Sequence, residues 1–152
     1  MSPTVLTTEY FSRVTFFGSH LATGVFYSSY NEKIYEAAKR YYAEIMMPFR
    51  SNIRKHLQVL DKLGIDVIAP SHGPVHDNPG FITDAYRDWV SDDVKNEVVI
   101  PYVSMHGSVL RMIDFFADAL IEKGINVKPY NLTVTDIGEL AISLVDAATV
   151  RQ

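Results

Sequence analysis

The fold is decided by the stretch Val98-Val99-Ile100-Pro101-Tyr102-Val103-Ser104-Met105-His106-Gly107-Ser108. Its first half is an apolar run rich in β-branched residues, and small and polar residues follow at once. A helical spacing of apolar residues begins directly after them. This order predicts a buried strand over 98–103, a tight turn, and a helix that starts at Ser108.

The predicted turn offers chemical groups that bind anions. Ser104 and Ser108 carry hydroxyls, and Ser108 can also cap the helix. Met105, His106 and Gly107 would present backbone N–H groups, and the first N–H groups of a helix lack partners while its dipole adds positive charge. We therefore expect these five residues to hold a phosphate. The alternative is a simple helix cap after a strand, which any α/β protein needs.

The composition is that of an ordinary globular protein. The chain has 152 residues, is 47% hydrophobic and 21% charged, and carries a net charge of −4. This charge gives no reason to expect nucleic acid or a membrane as a partner. No apolar run approaches the roughly 20 residues that span a bilayer, and no signal peptide is visible. Because cysteine is absent, disulfides and thiolate metal sites are excluded, and we expect a cytoplasmic protein.

The first half of the chain is predicted to be extended at its start and mainly helical afterwards. Residues 4–17 are enriched in Thr, Val, Tyr and Phe, which favour strands. A helix begins at Glu32 and is ended or kinked by Pro48. A second helix stops at Gly64, and a short strand covers 65–69. The faces expected to be buried are Ile34, Ala37, Ala38, Tyr41, Tyr42 and Ile45; Ile53, Leu57, Leu60 and Leu63; and, in a helix over 81–90, Ile82, Tyr86 and Trp89.

The second half follows the order β-α-β-α. The strand over 98–103 leads to a helix over 108–123, a strand over 125–130 and a helix from about 136 to 145. Short connections of this kind imply parallel strands joined by a right-handed crossover. The acidic stretch 91–97 is the expected domain boundary. The helix after the turn is expected to bury Leu110, Ile113, Ala117, Leu120 and Ile121.

Four segments of the sequence resemble the flavodiiron proteins, also called A-type flavoproteins. The string Asp66–Pro74 resembles the family's last metal-ligand loop, and Tyr41–Phe49 resembles the segment that precedes it. Phe17–Ala22 is similar to the segment after the family's bridging aspartate, and Val98–Ser108 is similar to the start of its flavodoxin-like domain. The resemblance covers most of the chain, in the family's order and spacing.

The resemblance implies an α/β fold made of two incomplete domains. Residues 1–92 would be the C-terminal portion of a metallo-β-lactamase-like domain, present as a partial layer. Residues 97–152 would be the N-terminal half of a flavodoxin-like domain, a truncated parallel βαβα unit. Complete family members carry two irons in the first domain and FMN in the second, and they reduce dioxygen to water or nitric oxide to nitrous oxide.

The sequence also departs from the family pattern. The His-x-Glu-x-Asp-His cluster that supplies most iron ligands is absent from these 152 residues. The position that matches the bridging aspartate is Thr15, whose neutral hydroxyl cannot replace a carboxylate between two cations. Val109 stands where the family usually has a hydroxyl residue near the flavin phosphate. The resemblance therefore implies His72 as the one retained metal ligand.

Other candidate site residues have structural alternatives. His72 could be a loop histidine without a metal, and His20 could lie near the metal pocket as a polar neighbour. His56 and His76 are expected at the surface. Tyr35, Tyr41, Tyr42, Tyr86 and Trp89 are expected to be packing residues rather than an aromatic site, and nothing in the sequence brings Glu44 and Asp66 together as a catalytic pair.

Two functional hypotheses follow. In the first, the chain is a fragment or split subunit of a flavodiiron oxidoreductase that passes electrons from FMN to a di-iron site. It would be inactive alone and would need a complementing chain for the irons, together with an electron donor. In the second, it is a non-catalytic remnant, or a module that binds FMN or another phosphate compound and interacts with a partner. An incomplete sheet would in either case favour a homo-oligomer or partner binding.

Overall fold

The computed structural model describes residues 5–7, 16–21 and 32–148. The chain divides into two compact units, Met1–Ser91 and Asp92–Gln152. The predicted extended structure over 8–15 lies outside the described residues. In the described part of the chain, none of the helices has the length and apolar character needed to cross a membrane.

In the described residues of unit 1, three α-helices accompany a pair of short parallel strands. Strand β1 (Val5–Thr7) pairs in parallel with β2 (Val67–Ala69). Helix α1 (Glu32–Tyr41) and helix α2 (Arg50–Leu60) lie between these strands in the sequence, and α3 (Pro79–Trp89) follows β2.

The connection between α1 and α2 confirms the break predicted at Pro48. The chain passes through a π-helical segment, Tyr42–Met46, and then a 3₁₀ turn, Met47–Phe49. Proline has no N–H to donate to a helix and clashes with the preceding turn, so the α-helical pattern cannot continue through it. The α-helix resumes at Arg50.

The core of unit 1 is built around aromatic rings at helical spacing. The ring of Trp89 lies 5.4 Å from that of Tyr42 and 5.1 Å from that of Tyr86, and all three side chains are buried. The indole N–H of Trp89 donates to the Tyr35 hydroxyl at 3.1 Å. Burial raises the pKa of Tyr42 to about 12, so this phenol stays protonated at neutral pH. For Tyr35, Tyr42, Tyr86 and Trp89, the prediction that the aromatic residues pack rather than form a site is confirmed.

Several predictions of burial in unit 1 are wrong. His76, expected at the surface, is fully buried, and its backbone N–H and carbonyl both bond to Ile68, which holds it alongside β2. His56 is half-buried, with its ring 5.2 Å from that of Phe16. The apolar spacing predicts that Ile45 and Leu63 are buried, but both are exposed: Ile45 lies in the π-helical segment, and Leu63 lies past the end of α2.

Phe17 occupies a left-handed backbone conformation at the centre of this unit. Its φ is +62°, which is uncommon for a residue other than glycine, and Phe16 and Phe17 form a turn instead of the predicted extended structure. The Phe17 ring packs 4.9 Å from that of Tyr86. Its backbone also forms a hydrogen bond with the imidazole of His76. These contacts anchor segment 16–21 to the core.

Unit 2 confirms the predicted β-α-β-α order with parallel strands. Strand β3 (Glu97–Tyr102) leads to helix α4 (Ser108–Ile121), strand β4 (Asn126–Asn131) and helix α5 (Ile137–Asp146). The two strands pair in register from Glu97–Asn126 to Tyr102–Asn131. Asp136 caps α5 by accepting from the Gly138 N–H at 2.8 Å.

Burial in unit 2 is much thinner than the apolar spacing predicts. Five residues of α4 are expected to be buried. Ile113 is buried, whereas Leu110 and Ile121 are exposed. The two paired strands of this unit cover little of the helix, so spacing alone overestimated the core. Just before β3, Lys95 forms an isolated parallel bridge with Ala147, which follows α5.

We predict that His76 makes the stability of unit 1 depend on pH. Burial lowers the pKa of His76 below its usual 6.5. The unfolded chain therefore binds a proton that the folded chain excludes. The contribution of neutral His76 to the free energy of unfolding should be fully present above about pH 6.5. Below that pH, the free energy of unfolding should decrease as the pH falls, by at most about 1.4 kcal/mol per pH unit.

Urea denaturation between pH 5 and 8, followed by the fluorescence of the single tryptophan, Trp89, measures this effect in unit 1. His76→Gln should reduce the slope, and His106→Gln, a change at an exposed residue, should leave it unchanged. An equal slope in His76→Gln and the unmodified chain would contradict the assignment.

Candidate functional site

Unit 1 contains a pocket of about 670 Å³ next to the loop that follows β2. Loop residues from two distant parts of the sequence meet helix α1 there. The lining residues are Ser19, His20, Tyr41, Ile45, Ser71, His72 and Gly73. The structure thus brings His20 and His72 to one pocket, and the hypothesis that His20 lies near a metal stays a prediction.

A close backbone contact holds the two loops together. The Ser19 N–H donates to the His72 carbonyl at 3.2 Å. Gly73 has a φ of +91°, and a Cβ placed on it would lie 2.9 Å from the Ser19 Cβ and backbone N. Only a glycine adopts this conformation and leaves this space without strain. Gly73 therefore allows the His72 loop to approach the segment that carries His20.

A chain of polar contacts lies at the edge of the pocket. The Nε2 atom of His20 is 2.9 Å from Oε2 of Glu44, and the Nε atom of Arg40 donates to the other carboxylate oxygen at 2.9 Å. Glu44 thus pairs with His20 and Arg40, and the structure gives it no contact with Asp66. The ring of Tyr41 packs against the imidazoles of both His20 and His72, with centroids 5.3 and 6.4 Å away.

The donor set of this pocket does not make a metal centre by itself. His72 is exposed at the pocket, where an imidazole nitrogen is accessible to a ligand. Among residues 5–7, 16–21 and 32–148, no group of three histidine or carboxylate side chains is close enough to hold a metal ion. A di-iron site needs several anionic oxygen and imidazole ligands. The described residues supply one expected ligand, His72.

The predicted phosphate loop lies in unit 2 at the carboxyl end of β3. The chain leaves the strand at Tyr102, turns through 103–107, and enters the 14-residue helix α4. Met105, His106 and Gly107 are exposed in this turn, with their backbone near the start of the helix. The structure therefore places all five predicted residues in one strand–loop–helix connection.

Two polar features of this loop favour an anion. The Oγ atom of Ser104 is shielded from solvent and has no hydrogen-bond partner among the described residues. The first amide groups of α4 have no helical acceptor, since intrahelical bonding begins with the Arg111 N–H to the Gly107 carbonyl at 3.4 Å. An oxygen-rich anion at this point would accept bonds from both.

The prediction that Ser108 caps the helix is wrong. The cap position is Gly107, with a left-handed φ of +75° and no side-chain cap, and Ser108 is the first helical residue. The left-handed turn at Gly107 directs the chain into the helix and leaves the Ser108 hydroxyl exposed. The Ser108 hydroxyl therefore makes no capping hydrogen bond at the start of α4.

The chain is similar in sequence to parts of several longer proteins. No family model matches the sequence. A nitric oxide reductase of Moorella thermoacetica is 37% identical over 139 residues, which cover 88% of this chain and 35% of that protein. An anaerobic nitric oxide reductase flavorubredoxin of Escherichia coli is 33% identical over 113 residues, covering 71% of this chain and 24% of that protein. The chain spans about a third or less of the length of these curated relatives.

Solved structures show the same fold. Rubredoxin oxygen:oxidoreductase from Desulfovibrio gigas superposes with a TM-score of 0.79 at 23% identity, covering 94% of this chain and 36% of that one. The flavodiiron protein from Giardia intestinalis gives a TM-score of 0.75 at 24% identity, covering 86% and 33%. The fold is thus the α/β architecture of such proteins. With the sequence relatives, it identifies the chain as a partial member of the flavodiiron protein family.

We predict that Gly73→Ala destabilises unit 1. The added methyl group would lie 2.9 Å from Ser19, and alanine at a φ of +91° is strained. Such backbone strain costs about 1–3 kcal/mol, to which the contact with Ser19 adds. Urea denaturation followed by Trp89 fluorescence gives the free energy of unfolding.

The matched control is Gly64→Ala, because a Cβ at Gly64 meets no atom within 4 Å. That substitution should change stability by less than about 1 kcal/mol. If the two variants were equally stable, the close approach of the His72 loop to Ser19 would not depend on glycine.

Proposed function

We propose that this chain is one part of a flavodiiron-type oxidoreductase. Residues 97–152 correspond in this proposal to the N-terminal half of the flavodoxin-like domain and hold the phosphate of FMN. Residues 1–92 correspond to the C-terminal portion of the metallo-β-lactamase-like domain and contribute the iron ligand His72. The observation that supports it most is the turn at 103–107, where the unpartnered Ser104 hydroxyl lies close in sequence to the free amides of α4.

Each loop residue has a defined role in this proposal. Ser104 donates its hydroxyl to a phosphate oxygen, and Ser108 donates a second hydroxyl from the start of the helix. The backbone N–H groups of Met105, His106 and Gly107 surround the same oxygen atoms. The N-terminal end of α4 favours the negative charge, so the loop itself needs no Lys or Arg.

FMN would supply the one- and two-electron chemistry of the family when bound. The part assigned to this chain is to hold the phosphate and so orient the flavin. The roles proposed for these residues concern the phosphate alone. Phosphate contacts alone support weak binding, on the order of a dissociation constant of 1 mM or about −4 kcal/mol. Tight retention would need ring contacts from another polypeptide segment.

The iron part of the proposal depends on a complementing polypeptide. His72 is one imidazole, and the described residues around it include no group of three metal ligands. Thr15, at the position of the bridging aspartate, has no charge to offer. We therefore propose that the chain alone does not turn over. The complete system would add a polypeptide with the His-x-Glu-x-Asp-His cluster, an electron donor, and dioxygen or nitric oxide as substrate.

The lack of such a ligand group among the described residues also favours a second candidate function. In this alternative, the chain is a non-catalytic module that binds FMN or another phosphate compound and interacts with a partner. The two functions share the phosphate loop and differ at His72. Binding of a phosphate ligand without any iron, even after complementation, would select the module.

We predict that the chain binds FMN weakly and through its phosphate. Titration by nuclear magnetic resonance should give a dissociation constant of roughly 1 mM for FMN, and no binding at the same concentration for riboflavin, which lacks the phosphate. Ser104→Ala should weaken FMN binding about tenfold or more, because a hydrogen bond to a charged group contributes about 1.5–3 kcal/mol.

Ser71→Ala is the control for the FMN titration, since Ser71 is an exposed loop serine of unit 1. It should leave the dissociation constant unchanged. Equal binding of FMN and riboflavin, or no binding of either at several millimolar, would overturn the phosphate assignment.

We predict that iron is retained only in a complemented complex. The chain would be coexpressed with the part of the Moorella thermoacetica relative that lies outside the matched region, and the purified pair analysed for iron. The pair should contain iron, the chain alone should not, and His72→Ala should lower the content. His56→Ala, on helix α2, is the control. An iron-free pair would contradict the oxidoreductase proposal and leave the FMN prediction intact.

A further inference from the structure

The buried aromatic cluster of unit 1 brings together side chains that can lose one electron. The ring of Tyr86 lies 5.1 Å from that of Trp89 and 5.4 Å from that of Tyr42, and the rings of Tyr42 and Trp89 are also 5.4 Å apart. The ring of Tyr35 is a fourth member, 5.4 Å from that of Trp89. The contacts that pack this core therefore also place one indole and three phenols in a continuous series.

One end of this series is close to the pocket. Tyr41, which precedes Tyr42 in the chain, lines the pocket with its ring against the imidazoles there. Burial raises the pKa of Tyr86, and the nearby phenols of Tyr41 and Tyr42 raise it further. This electrostatic effect requires Tyr41 and Tyr86 to be near each other. The pocket is thus connected to the aromatic series through Tyr41.

The proton decides which phenol can remain oxidised. A phenol that has lost an electron is a strong acid, so it must release its hydroxyl proton. The side chains of Tyr42 and Tyr86 are fully buried, and the Tyr42 hydroxyl donates to the Trp89 carbonyl at 3.3 Å. A carbonyl oxygen accepts a hydrogen bond but does not take up the proton at neutral pH. Neither buried phenol therefore has a base to receive its proton.

Tyr35 is the member that can release its proton to water. Its side chain is half-buried, and its hydroxyl oxygen accepts the indole N–H of Trp89 at 3.1 Å. Because the Tyr35 oxygen is the acceptor in this bond, the Tyr35 hydroxyl proton takes no part in it. After Tyr35 loses an electron and this proton, the same indole N–H can still donate to the phenoxyl oxygen. Trp89 thus connects Tyr35 to the buried rings and stabilises the oxidised form of Tyr35.

We propose that unit 1 contains a relay that carries an oxidising equivalent from the pocket, through Tyr86 and Trp89, to Tyr35. A one-electron oxidant at the pocket gains one electron from the nearest ring, and each oxidised ring takes an electron from the next. At the end of the series, Tyr35 gives one electron to Trp89 and its hydroxyl proton to water, which leaves a neutral tyrosyl radical. A one-electron reductant in solution restores Tyr35, and water returns the proton. The relay goes beyond the proposed function and requires neither FMN nor iron.

A photo-oxidant attached at the pocket tests the relay in the full chain. Because the chain contains no cysteine, Ser71→Cys supplies one attachment site at the pocket for a ruthenium polypyridyl complex. A laser flash with a quencher in solution generates ruthenium(III), and transient absorption with electron paramagnetic resonance should then detect a tyrosyl radical. Tyr35→Phe should remove this signal and leave the radical of the single tryptophan, Trp89. Trp89→Phe should slow formation of the tyrosyl radical by about tenfold or more, because the electron must cross a wider gap.

Tyr102→Phe is the matched control, because Tyr102 is a half-buried tyrosine of unit 2, and it should leave the signal unchanged. Circular dichroism checks that each variant keeps its helix content, and Tyr35→Phe alone decides if Trp89→Phe does not fold. The proposal is overturned if the labelled chain forms no tyrosyl radical, if the signal persists in Tyr35→Phe, or if a folded Trp89→Phe forms the radical at the unmodified rate. The binding of FMN and iron is measured separately, so failure of the relay leaves the proposed function untouched.

Discussion

The contact between Ser19 and the loop around His72 is the constraint on which the rest of unit 1 depends. The two segments are more than 50 residues apart, and they meet because Gly73 removes the side chain that would separate them. Phe17 anchors one segment through Tyr86, and the pairing of His76 with Ile68 anchors the other. The pocket exists between these two anchored loops.

In unit 1, the residues that position the pocket differ from the residues whose polar groups line it. The buried aromatic cluster around Trp89 fixes α1 and α3, and the π-helical segment after α1 carries Glu44 to the pocket edge, where it pairs with His20. The scaffold therefore keeps an imidazole accessible at His72. The remaining ligands of a family-type metal site are not among the described residues, which is why the iron function is proposed only for a complex.

Unit 2 differs from unit 1 because it buries few of its apolar side chains, although its strands and turns are well defined. The parallel pairing of β3 and β4 and the left-handed turn at Gly107 set the position of the loop before α4. The α4 helix then has one thin buried face and a second apolar face without cover. The proposed phosphate loop and the exposed apolar residues of α4 thus follow each other directly in the chain.

The sequence by itself determined the order of elements, the parallel pairing in unit 2, the break at Pro48 and the packing role of Tyr86 and Trp89, because these follow from local periodicity and backbone chemistry. The apolar runs and the small residues after them also predicted that His72 and residues 103–107 lie in loops that follow strands, whereas the metal-ligand role of His72 came through the family resemblance. Only the tertiary structure decided the burial of His76, the exposure of Leu110 and Ile121, and the pairing of Glu44 with His20. The reason is that periodicity specifies which face of an element is apolar, whereas burial and side-chain pairing depend on which other element packs against that face.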